Sequence, residues 1–143
     1  MPYKFLEDIA HSDAAFKAWA DTEEELFKAA AEALLKLTVA NPDKVAGSKE
    51  IAVNLQSESI ELLLYDFLQE LIFYKDSEAL LLKPGKIDIE ADNKTYRLAA
   101  ELSGEKIDKD RHKLGIDIKA VTLHMFEVKK KNKGYEAQVI LDV

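Results

Sequence analysis

The chain has 143 residues, 48% hydrophobic and 33% charged, with 20 Lys and Arg against 27 Asp and Glu for a formal net charge of −7. That length suits one globular domain, residues 1–143, able to bury about two-thirds of its unfolded surface, and the composition is that of a folded chain rather than a disordered one. The acidic balance opposes strong direct binding to nucleic acid, and the lack of cysteine excludes disulfides, zinc fingers, iron–sulfur clusters and cysteine nucleophiles.

Tyr3 to Ile9 and Asp13 to Trp19 alternate in polarity and predict a short pair of strands. Thr22 followed by Glu25 forms a capping box, so a helix starts there. Leu26, Ala30, Leu34 and Leu37 then recur at helical spacing until Asn41-Pro42 ends the pattern. Ile51, Val53 and Leu55 alternate as a strand. The Ser57-Glu58-Ser59 cluster caps a second helix over Ile60 to Tyr74, more apolar than the first and predicted to be central.

Beyond it, Ala79 to Leu82, a Pro84-Gly85 turn, Ile87 to Glu90, and Thr95 to Leu102 after Asp92-Asn93 predict an antiparallel meander. Gly104 to Gly115 reads as polar and irregular. Ile116 to Val128 and Tyr135 to Val143 read as two final strands across a turn at Asn132 to Gly134, decorated by Lys129, Lys130, Lys131 and Lys133. The fold class is α+β, two main amphipathic helices packed on antiparallel β-sheet. The N-terminus has no basic-then-apolar leader and no apolar run reaches bilayer length, so the expectation is cytoplasmic, without membrane contact.

Motifs for catalysis are sparse. His11, His112 and His124 show neither helical metal-pair spacing nor a nucleophile motif, and no glycine cluster resembles a phosphate-binding loop. His124 is out of phase with Val121, Leu123 and Met125, which suggests a surface position. Asp66 and Glu70 stand one helical turn apart, a spacing that suits either a shared cation or a solvated polar strip. Asp13 opens an apolar strand and Asp142 interrupts Val139-Ile140-Leu141; each carboxylate either faces solvent by alternation or meets a partner. A metal-dependent phosphohydrolase would need Asp13, Asp66, Glu70 and Asp142 to converge.

Four stretches together resemble the archease family and span nearly the whole chain. They are Phe5-Leu6-Glu7 through Asp13-Ala14-Ala15-Phe16, then Thr22 to Ala33, then Leu64-Tyr65-Asp66-Phe67-Leu68-Gln69-Glu70-Leu71, and last Arg111-His112 with Lys119-Ala120-Val121-Thr122 and Val139-Ile140-Leu141-Asp142-Val143. The resemblance implies a non-catalytic activator of RtcB-type RNA ligases, which join RNA ends in tRNA splicing and repair using GTP. It implies a divalent-metal site at Asp13, Asp142 and the terminal carboxylate of Val143, filled by calcium, with magnesium or manganese as alternatives. Arg111, His112 and Lys119 are the expected partner-binding residues, and Asp66 and Glu70 the second choice. A role as chaperone or specificity modulator of a tRNA methyltransferase is the alternative. One departure concerns a histidine that many members carry three positions before the aspartate matched by Asp13; here Ala10 stands there and His11 is its neighbour.

Overall fold

A computed structural model describes residues 2–6 and 13–143, the side chain of Asp13 excepted. Strand β1 (Tyr3–Leu6) runs antiparallel to β2 (Asp13–Ala20), with Tyr3 opposite Ala18 and Phe5 opposite Phe16. The expected extension of β1 to Ile9 lies outside the described residues. Helix α1 (Glu23–Thr38) starts at the capping box, where the Thr22 hydroxyl accepts from the Glu25 N–H at 3.1 Å. Glu23, Glu24 and Glu25 in its first turn face the positive end of the helix dipole.

A 3-10 turn (Pro42–Lys44) leads to β3 (Lys49–Ser57) and α2 (Ile60–Glu78). The Ser59 hydroxyl caps α2 by accepting from the Leu62 N–H at 3.1 Å. The helix runs past Tyr74, where the apolar pattern fades, because Lys75 anchors the extra turn: its Nζ donates to Asp117 at 2.7 Å and to the Ile118 carbonyl at 2.9 Å. It stops at Ala79, whose φ of 54° is left-handed.

Strands β4 (Leu80–Asp92) and β5 (Thr95–Lys106) form one long hairpin. The expected Pro84-Gly85 turn is instead a bulge within β4, with the register shifting between Pro84 and Ile87. β4 lies at the edge of a three-stranded sheet ordered β3-β5-β4, where proline's missing N–H is tolerated. Gly104, expected to open an irregular stretch, sits inside β5. A Cβ there would lie 1.8 Å from the Leu81 carbonyl oxygen, so the glycine permits a close strand approach.

The expected long strand Ile116 to Val128 is broken. Only β6 (Ala120–Val121) and β7 (Glu127–Lys131) pair, separated by a turn in which the Phe126 N–H donates to the Leu123 carbonyl at 3.3 Å. Leu123 and Met125 are 62% and 58% exposed, so their alternation does not mark a core face. Strand β8 (Gly134–Asp142) closes a five-stranded sheet ordered β1-β2-β8-β6, with β7 also pairing β8.

Both helices pack against both sheets, and Phe27 of α1 stacks on Phe67 of α2 at 5.8 Å between ring centroids. Around that contact, Phe16, Ala137, Val139 and Leu141 of one sheet and Val53, Leu98 and Leu102 of the other join a continuous core with Leu63, Leu64 and Leu68. The α+β arrangement read from the sequence is the observed one. No helix among the described residues is long and apolar enough to cross a membrane.

Candidate functional site

The geometry starts with β8, which is paired on both edges. On one side β2 runs antiparallel to it over eight residues, from Ala20 opposite Tyr135 to Asp13 opposite Asp142. On the other, Ala120 stands opposite Asp142, and the Lys119 N–H donates to the Asp142 carbonyl at 2.8 Å. Alternation along β8 turns Val139 and Leu141 into the core, both 0% exposed, and leaves Asp142 on the exposed outer face. Val143 packs its side chain against the core beside it.

Residues directly opposite in an antiparallel ladder share a face, and like charges in that relation destabilise the pair by some tenths of a kcal/mol, up to about 1 kcal/mol. The register sets position 13 directly opposite Asp142 in this ladder. Carboxylate oxygens are hard donors, which suit calcium, magnesium or manganese rather than a thiolate-seeking metal. Among the described residues no three His, Asp or Glu side chains form a metal-holding group; His11 and the Asp13 side chain lie outside them. Asp66, Glu70 and Asp142 thus make no common acidic centre, which removes the convergence a phosphohydrolase would use.

Asp66 and Glu70 are half-buried on α2. Their neighbour Gln69 is the residue tied to the site region, its Oε1 accepting from the Val121 N–H at 2.8 Å. Of the expected partner-binding residues, Lys119 is exposed and adjoins Asp142, whereas Arg111 and His112 belong to a different cluster.

That cluster is built on Glu105 near the end of β5. His112, its side chain 0% exposed, places Nε2 2.6 Å from Glu105 Oε1, while its Nδ1 accepts from the Asp108 N–H at 2.9 Å. Because Nδ1 accepts, the ring proton is on Nε2, which donates to the carboxylate. Arg111 pairs with the same carboxylate and also donates to the Lys44 carbonyl at 3.2 Å. Asn41 clamps the loop again, donating to the Arg111 carbonyl at 3.0 Å and accepting from the Lys113 N–H at 2.8 Å.

Further along, Asp117 holds Lys75. Burial lowers the Lys75 pKa, but the hydrogen bonds and charges of Asp117 and Asp76 outweigh it and leave the group raised above its ordinary value. Asp117 is lowered by its hydrogen bond to, and the charge of, Lys75. The segment leading to Lys119 is thus stapled to β5, to the end of α1 and to α2. Glu105 and Asn41 were not singled out in the sequence, since each acts through a partner several to many positions away.

The model of the Archease protein family (MTH1598/TM1083) matches residues 3–143. The chain belongs to the archease family. It is 35% identical to "Protein archease" of Pyrococcus abyssi, covering 92% of this chain and 93% of that one. It is also 35% identical to "Protein archease" of Methanosarcina mazei, covering 99% and 95%. Among solved structures it matches Methanobacterium thermoautotrophicum protein 1598 with a TM-score of 0.85 at 33% identity, covering 99% of each chain. A Thermotoga maritima protein, described as an archease and possible chaperone, shares the fold with a TM-score of 0.62 at 19% identity, covering 98% of each chain.

Proposed function

We propose that this chain is a non-catalytic, metal-bearing activator of an RtcB-type RNA ligase, promoting the ligase's guanylylation and repeated turnover in cytoplasmic tRNA splicing and RNA repair. The observation that carries the reading is the register of Asp13 against Asp142 in a chain of the archease family. Asp13, Asp142 and an oxygen of Val143 hold a divalent cation, calcium first and magnesium or manganese as alternatives. When bound, the cation supplies concentrated positive charge able to orient phosphate oxygens. Lys119 beside the pair and Arg111 on its stapled loop provide the cationic contacts to the ligase, and His112 holds that loop in shape.

The test is guanylylation of the ligase by GTP with the wild-type protein, Asp13→Ala or Asp142→Ala. Each variant keeps its circular dichroism spectrum and loses most of the stimulation. Full stimulation by both folded variants would overturn the reading.

A second reading is a chaperone or specificity modulator of a tRNA methyltransferase, and the Thermotoga protein of the same fold carries the description of a possible chaperone. It predicts that a methyltransferase co-purifies with the chain and that the tRNA modification pattern changes without it. Absence of both effects removes it.

A further inference from the structure

The outer face of the five-stranded sheet departs from the acidic character of the chain. Register brings Lys4 opposite Lys17, Lys17 opposite Gln138, and Trp19 opposite Glu136, which itself faces Lys129. Lys131 ends β7 opposite Gly134, and Lys133 follows in the hairpin turn. The same face also carries Glu127, Glu136 and Asp142, while further acidic residues lie at Glu23, Glu24 and Glu25 on α1 and at Asp88, Glu90 and Asp92 on β4. The face thus holds a small local excess of lysine within a chain of net charge −7.

The lysines here are weakly committed. Lys17 and Lys131 share one carboxylate, Glu136, at 3.9 and 3.7 Å, which leaves a surplus positive charge. Lys129 pairs with Glu127 at 3.3 Å, and Lys133 enters no ion pair among the described residues. Such solvent-facing pairs contribute little and exchange readily for another anion.

In their midst stands Trp19, 40% exposed although it lies mid-sheet between two paired strands. A groove of about 290 Å³ runs beside it, lined by Asp21, Lys131, Lys133, Tyr135 and Glu136. An exposed indole flanked by lysines is the combination that binds single strands: the ring stacks on a base of any identity while the cations track the phosphates. A duplex, its bases already stacked, gains nothing from the indole.

We propose that this face binds a single-stranded polynucleotide, with a base on Trp19 and phosphates on Lys131, Lys133 and Lys17. Trp19 lies six positions from Asp13 along β2, about 20 Å at roughly 3.3 Å per residue, and on the same sheet face as Asp142. Binding to the isolated chain does not rest on the ligase reading, and either can fail without the other.

Trp19 is the sole tryptophan, so its fluorescence reports contact directly. A ten-nucleotide oligouridylate titrated at 50 mM salt quenches it saturably, with a salt slope near −2 for about three phosphate contacts at roughly −0.7 each. Lys131→Ala with Lys133→Ala flattens that slope by about 1.4. Followed by anisotropy of labelled oligonucleotide, Trp19→Leu weakens binding about tenfold whereas Trp19→Phe, which retains a ring face, loses less. Equal quenching by oligothymidylate assigns the site to either sugar, and preference for the ribose strand assigns it to RNA. No quenching, or equal binding of inorganic polyphosphate or polyglutamate, overturns the proposal.

Discussion

Replacing Glu105 by Ala removes the single carboxylate that both Arg111 and His112 use. The His112 side chain is 0% exposed, so its Nε2–H is left without an acceptor and without water, at about 1–3 kcal/mol. Arg111 is 49% exposed and recovers hydration, adding about 1 kcal/mol or less. The expected total is about 3 kcal/mol, or a fall in Tm of about 10 °C for a chain of this size, read by thermal unfolding with urea titration as a check. Glu105→Gln keeps an oxygen for His112 and loses only the charge facing Arg111, so it costs about 1 kcal/mol. Equal losses for the two variants, or a loss below 1 kcal/mol for Glu105→Ala, would refute the account of Glu105 as the acceptor that satisfies a buried histidine.

Gly104→Ala drives a methyl toward the Leu81 carbonyl, 1.8 Å from the ideal Cβ; a destabilisation of about 3 kcal/mol, or failure to fold, is expected by denaturant titration. Lys75→Met removes the clamp on Asp117 and the Ile118 carbonyl. Since the folded Lys75 pKa is raised above 10.5, its stabilisation is fully present below 10.5 and is lost as pH rises through the folded value; wild type and variant therefore differ at pH 7 and converge in strongly alkaline solution, as chemical denaturation across that range will read. Calcium titrated by calorimetry into Asp142→Asn shows affinity reduced by about tenfold or more, and unchanged affinity would remove Asp142 from the site.

Much of the architecture was legible because it depends on neighbours in sequence. The Thr22 cap, the α1 stripe and the Ser59 cap are local devices, and each helix starts where they stand. The misread elements depend on what the chain packs against. Pro84-Gly85 looks like a turn until β4 is seen to be an edge strand that absorbs a bulge. Leu123 and Met125 alternate like core residues, yet the turn between them points both to solvent. For the site, the apolar run around Asp142 marked it as an outlier, but only the register of β2 on β8 sets Asp13 opposite it, and that pairing spans almost the whole chain. Glu105 gave no signal, because its importance lies in a histidine seven positions away that it satisfies.

The two clusters are mechanically one system. Asp142 is fixed from both sides, by β2 and by the Lys119 N–H ahead of β6, so its backbone cannot shift without moving one or the other. Lys119 in turn ends a segment held at Glu105, Asn41 and Lys75. Preorganisation of this kind lowers the ordering cost when a surface meets a partner, since the main chain beneath it is already fixed. It follows that cutting a staple far from Asp142, as Glu105→Ala does, loosens the segment that ends at Lys119 while leaving the pairing of β2 with β8 in place.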